Sequence, residues 1–127
     1  MPPPPPSPSS LPKYVYKILP EAPPDPLPAS LPLSAIDAQD GFIHLSTAAQ
    51  TPATAGRFFS ANEKLWVLRI PLKQIESNVK WEEAKSGCFA HLYGADLGQM
   101  EIEDTKAFTR GESDDWTAIL EKDEWLS

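Results

Sequence analysis

Short runs in which apolar and polar residues alternate, punctuated by proline and glycine, set the expected architecture of this chain. Lys13-Tyr14-Val15-Tyr16-Lys17-Ile18-Leu19 is rich in β-branched and aromatic side chains and is closed by Pro20, so it predicts a first strand. Phe42-Ile43-His44-Leu45-Ser46 repeats with period two, placing Phe42, His44 and Ser46 on one face and Ile43 and Leu45 on the other. One face is expected to reach the core and the other a cleft. Leu65-Trp66-Val67-Leu68-Arg69-Ile70 is nearly continuously apolar and ends at Pro71, which predicts a central strand covered on both faces. Val79-Lys80-Trp81-Glu82-Glu83 alternates again, with Val79 and Trp81 facing one way and Lys80 and Glu82 the other. Residues 100–108 predict a further strand with an acidic, solvated face.

Helical signals are fewer. Residues 20–33 form a proline-rich crossing with one helical turn expected near residues 31–37. Thr47-Ala48-Ala49-Gln50 matches a capping box, in which the threonine oxygen accepts from an amide of the first turn and glutamine reaches back. Pro52 fits the first helical position, so a short turn and then a helix over about residues 52–60 are expected, burying Ala55, Phe58 and Phe59. The tail from residue 114 holds Trp116 and Trp125 among charges, and its periodicity leaves helix and edge strand open.

Composition narrows the picture. Thirteen of the fifteen prolines lie within residues 1–32, and proline fixes φ and removes a backbone donor. Residues 1–12 are therefore expected to be a disordered leader, with residues 13–127 as one globular domain around one core. The run Pro2-Pro3-Pro4-Pro5-Pro6 has the form of a ligand for a polyproline-reading groove, but Lys13 is distant as a basic anchor, which favours a flexible leader. Eighteen acidic against eleven basic residues give a formal net charge of -7, so no nucleic-acid partner is expected. Cys88 stands alone, which excludes an intramolecular disulfide and reads as a small buried side chain. The absence of a long apolar run or a secretory signal leads to a cytoplasmic, membrane-independent protein as the expectation, and a monomer.

The candidate chemistry centres on the two histidines of the chain, His44 and His91, each set in an alternating run. Histidine titrates nearest neutrality and suits proton transfer or substrate orientation. His44 precedes a helix start, where free amides and the helix dipole favour an anion, and Ser46 and Thr47 add polar contacts. Its plainer role is a ring satisfied by backbone. Glu82 is the carboxylate best placed to stabilise a developing positive charge, or else a solvated edge-strand residue. His91 and Tyr93 share a face if extended, Gly94 permits a turn beyond them, and Tyr93 offers a ring for stacking or rim packing. No third ligand at motif spacing accompanies the histidines, so no metal is expected.

Tyr16-Lys17-Ile18-Leu19, Asp40-Gly41-Phe42-Ile43-His44-Leu45-Ser46-Thr47 with Gln50, Thr54-Ala55 and Phe58-Phe59, then Trp81-Glu82 and His91-Leu92-Tyr93-Gly94, resemble in order the uncharacterised domain of unknown function nine-five-two. That family is similar to the ADP-ribosyltransferase-like superfamily. A looser similarity links Ile43-His44-Leu45-Ser46, Gly56-Arg57 and Val67-Leu68-Arg69-Ile70 to RNA 2'-phosphotransferases, without the set of cleft arginines those enzymes use. The resemblance implies a small α+β ADP-ribosyltransferase-like domain of two packed twisted β-sheets with short helices and a nicotinamide-dinucleotide (NAD) cleft between them. The leading expectation takes His44, Glu82 and His91 as catalytic residues and Ser46, Thr47, Tyr93, Tyr16 and Lys17 as substrate-binding ones. The alternatives are a non-catalytic small-ligand or nucleotide-binding module of the same fold, and an interaction protein that uses its proline-rich leader.

Overall fold

Two antiparallel sheets of three strands each, with three short helices, make up the computed structural model, which describes residues 11–84, 87–112 and 114–126. Both the expected disorder at the N-terminus and the polyproline run fall largely or wholly outside those residues. In the first sheet, β1 (Tyr14–Leu19) pairs with β3 (Lys64–Pro71), which pairs with β6 (Asp104–Thr109). In the second, β5 (Gly87–Leu92) lies between β2 (Ile43–His44) and β4 (Val79–Ala84).

β3 is central in its sheet and covered on both sides, as its continuous apolar run requires. On one side Leu68 and Ile70 join Val15 of β1 and meet Ile43, Leu45, Ala90 and Leu92 of the second sheet. On the other, Leu65 and Val67 join Tyr16 and Ile18 and pack under α2 (Thr51–Phe58) and α3 (Trp116–Glu121), through Ala55, Trp116 and Leu120. The tail is therefore a helix: Asp115 caps it by accepting from the Thr117 amide, and Trp116 buries its ring while donating Nε1–H to the Asn62 carbonyl at 2.9 Å.

Several expected elements shift. β2 spans only Ile43–His44, because Leu45 still turns to the core but Ser46 leaves for the first sheet, exchanging backbone hydrogen bonds with Tyr16 at 2.7 and 2.9 Å. The expected turn at residues 31–37 appears later, as α1 (Ala35–Asp40), because Ser34 caps it by accepting from the Asp37 amide and Gly41 ends it with φ of 81°. α2 is shorter than expected and Phe58 is 65 % exposed, so its predicted burial is wrong, while Ala55 is fully buried and Phe59 half-buried. Phe58 follows the exposed Arg57 onto the outer face, whereas Ala55 faces the sheet. β6 begins at Asp104, since residues 97–102 are tied back to the crossing: the Leu31 amide donates to the Leu97 carbonyl at 2.7 Å and the Gln99 amide to the Pro28 carbonyl at 2.9 Å. Cys88 is half-buried rather than buried, and burial, then the charge of Glu83, push its thiol up.

The capping box forms. Thr47 Oγ1 accepts from the Gln50 amide at 3.2 Å and Gln50 Oε1 from the Thr47 amide at 3.0 Å. Gln50 also donates Nε2–H to the Cys88 carbonyl at 2.6 Å, pinning the start of α2 to the start of β5. No helix among the described residues is long and apolar enough to cross a membrane.

Candidate functional site

Because Ile43 lies opposite Leu92 and His44 opposite His91, the β2–β5 register that buries two aliphatic side chains brings both histidines to the other face of the sheet. The same logic sets Lys80 beside His91 across β4, with Glu82 two residues on, as their alternation predicted. Phe42, just before β2, lies among the polar rings. It stacks on His91 at a centroid distance of 4.2 Å and 26°, and lies 4.6 Å from His44 and 5.0 Å from Tyr93.

Glu82 organises one half of the site. Its Oε1 accepts from His91 Nδ1 at 2.8 Å and from the Tyr93 hydroxyl. These bonds, the one from Tyr93 first, hold the Glu82 carboxyl below the usual carboxylate range. Reciprocally, the Tyr93 phenol is pushed up to about 12, chiefly by its bond to Glu82. A carboxylate accepts only, so Nδ1 of His91 carries a proton and, in the neutral ring, Nε2 is the basic nitrogen. Lys80 Nζ lies 4.8 Å from the Tyr93 ring centroid, and Gly94, with φ of 64°, makes the predicted turn after it.

His44 belongs to a second network. Its Nδ1 meets Asp37 Oδ1 at 2.6 Å, its Nε2 meets Asp40 Oδ2 at 2.9 Å, and its amide donates to Asp37 Oδ1 at 3.2 Å. Asp37 is 2 % exposed and accepts from Lys17 Nζ through its other oxygen at 2.6 Å. Burial alone would raise the Asp37 carboxyl, but the hydrogen bond and charge of Lys17, and the two bonds from His44, hold it below its ordinary value. Burial lowers Lys17, against the pull of Asp37. A small cleft reaches this ion pair past Leu31, Leu33 and Leu97.

Of the residues expected at a site, His44, Glu82, His91 and Tyr93 therefore meet on one face, and Lys17 is joined to it through Asp37. Ser46, Thr47 and Tyr16 do not. Ser46 is buried with its hydroxyl 3.4 Å from Thr54 Oγ1, Thr47 is spent on the capping box, and Tyr16 is fully buried with its ring edge-on to Trp125. The amides expected to hold an anion beside His44 are likewise engaged: those of Thr47 and Gln50 in the box and that of Thr51 by the Thr47 carbonyl. Sequence reading missed Asp37, Asp40 and Phe42 as site residues. Asp40, four residues before His44 across a glycine turn, and Phe42, on the His44 face by period two, carried a local signal, whereas Asp37 did not. Among the described residues no group of three or more His, Cys, Asp or Glu is arranged to hold a metal ion.

A family model described as Protein of unknown function (DUF952) matches residues 28–105, a stretch that contains every residue of this face and omits Lys17. The X-ray structure of protein CC0527 from Caulobacter crescentus is similar at 34 % identity over 74 % of this chain and 84 % of that one, with a TM-score of 0.66. A double mutant of the same bacterial protein matches over the same shares at 34 % identity, with a TM-score of 0.65. No curated protein matches the chain.

Proposed function

The chain belongs to the DUF952 family, and from the histidine pair within the matched stretch we propose that it is an ADP-ribosyltransferase-like enzyme that cleaves a nicotinamide dinucleotide or similar nucleotide. The observation that carries this reading is the Glu82–His91 contact of 2.8 Å, with Tyr93 on the same carboxylate oxygen. A carboxylate that fixes the tautomer and orientation of an imidazole leaves the other nitrogen as an oriented base.

The rest of the face fits such a substrate. Phe42 and Tyr93 offer aromatic surface to a flat ring, and Glu82 favours the positive charge of a nicotinamide ring or of the sugar as the glycosidic bond opens. His44 is held through Nδ1, and its Nε2, beside Asp40 at 2.9 Å, is the atom that would meet a ribose hydroxyl or phosphate. In the transfer step nicotinamide leaves with the bonding pair, an acceptor oxygen forms the new bond to the sugar, and the acceptor's proton passes to His91 Nε2.

The test is calorimetric titration with nicotinamide dinucleotide, with free nicotinamide assayed in the same samples. Saturable binding with release that falls at least about 100-fold in His91→Ala supports the enzyme. Saturable binding without release supports a non-catalytic nucleotide module of the same fold, and no binding at near-millimolar ligand removes the nucleotide reading.

A further inference from the structure

His44 is bounded by carboxylates on both sides, and the two differ in kind. Asp37 is buried, ionised by its ion pair with Lys17, and also bound to the His44 amide. Asp40 has a side chain 36 % exposed, and His44 Nε2 is its partner among the described residues. Nδ1 is hydrogen-bonded to Asp37, whereas Nε2 and Asp40 Oδ2 make an ion-pair contact at 2.9 Å that holds when the ring is protonated. Asp40 is moreover the last residue of α1, where carbonyls converge and a carboxylate is disfavoured, and no basic residue lies in that last turn. Its placement is owed to His44.

We propose that Asp40 is an internal occupant of an anion subsite at His44 Nε2, and that a phosphate oxygen of the ligand takes its place; this rests on the nucleotide reading above. The swap exchanges one anionic oxygen for another beside the same ring nitrogen, so the buried Asp37–His44 bond and the ring orientation are kept. The Asp40 side chain is 36 % exposed, so its carboxylate can withdraw into solvent. Asp40 thereby sets the affinity of the site: every anion that binds His44 first displaces it. Contacts of this exposed kind contribute little, so displacement is feasible at ordinary ligand concentrations.

The experiment titrates inorganic pyrophosphate into the full chain labelled with 15N at histidine, following His44 Nε2 by nuclear magnetic resonance. Asp40→Ala is expected to bind pyrophosphate about two- to five-fold more tightly than the parent, the range of an exposed ion pair. In the His44→Gln background the same substitution is expected to give no gain. Asp40→Asn, which keeps the helix length and an amide carbonyl, serves if Asp40→Ala melts early. An equal affinity in parent and variants, a gain that persists without His44, or no pyrophosphate binding at all overturns the proposal. Pyrophosphate has no glycosidic bond, so this outcome is independent of nicotinamide release: loss of release with an intact Asp40 effect removes the enzyme and leaves the subsite.

Discussion

His44 and His91 stand directly opposite each other across the β2–β5 ladder, with ring centroids 5.4 Å apart and planes at 67°. Each ring is nevertheless held by a carboxylate from a different element, Asp37 of α1 and Glu82 of β4, so the pair joins two hydrogen-bond networks that have no bond in common. Phe42 is the side chain that touches both.

Phe42→Ala removes three ring contacts at once. A loss of about 1–3 kcal/mol is expected, from the contacts and the half-buried area together. Urea denaturation measures it, and an unchanged midpoint would mean that Phe42 is idle in the folded chain.

Glu82→Gln tests the shared acceptor. The phenol of Tyr93 titrates near 12 because ionising it beside Glu82 loses a hydrogen bond and creates like charges. With a neutral amide there, its titration moves down toward the ordinary 10.0, readable by ultraviolet absorbance between pH 9 and 12.

Acid should unfold the chain partly through Asp37. Its carboxyl is held low in the folded chain, so between the unfolded value of 3.8 and the lower folded one the unfolded chain binds the extra proton. The stability contributed by the pair is therefore complete above pH 3.8 and is lost as pH falls below it. Asp37→Asn is expected to cost about 3 kcal/mol at pH 6, since it leaves Lys17 buried without a counter-charge. Thermal melts at several pH values should show the gap between variant and parent closing below pH 4; a constant gap would contradict the assignment.

Two glycines separate conformational from steric cost. Gly41→Ala adds a Cβ in open space but at φ of 81°, for an expected loss of about 1 kcal/mol. Gly98→Ala drives its Cβ into the backbone carbonyls of Ala29 and Pro28, so the crossing must move, and a loss of more than about 2 kcal/mol is expected. Paired denaturation curves that rank the two the other way would mean the crossing is not packed on residues 97–102 as described.

Local chemistry made some features legible in the sequence. β1, β3 and β4 could be located from their alternation or apolar continuity, the Thr47–Gln50 box from its spacing, and the sharing of a face by His91 and Tyr93 from period two. In each case the cause lies within a few residues of the effect. Phe58 failed that test because apolar character alone does not say which side of a short helix meets the sheet. Tyr16 and Ser46 failed because both belong to the junction between the sheets, where packing claims their side chains.

The sequence by itself determined where β1, β3 and β4 run, which of their faces are apolar, and that histidine, glutamate and tyrosine recur at alternating positions. Only the tertiary structure decided that His44 faces His91, that Asp37 joins Lys17 to His44, and that Glu82 serves His91 and Tyr93 together. Those relationships join residues of different elements, through strand pairing and through a buried charge that is tolerated only where a partner from another element meets it. Periodicity carries no record of either.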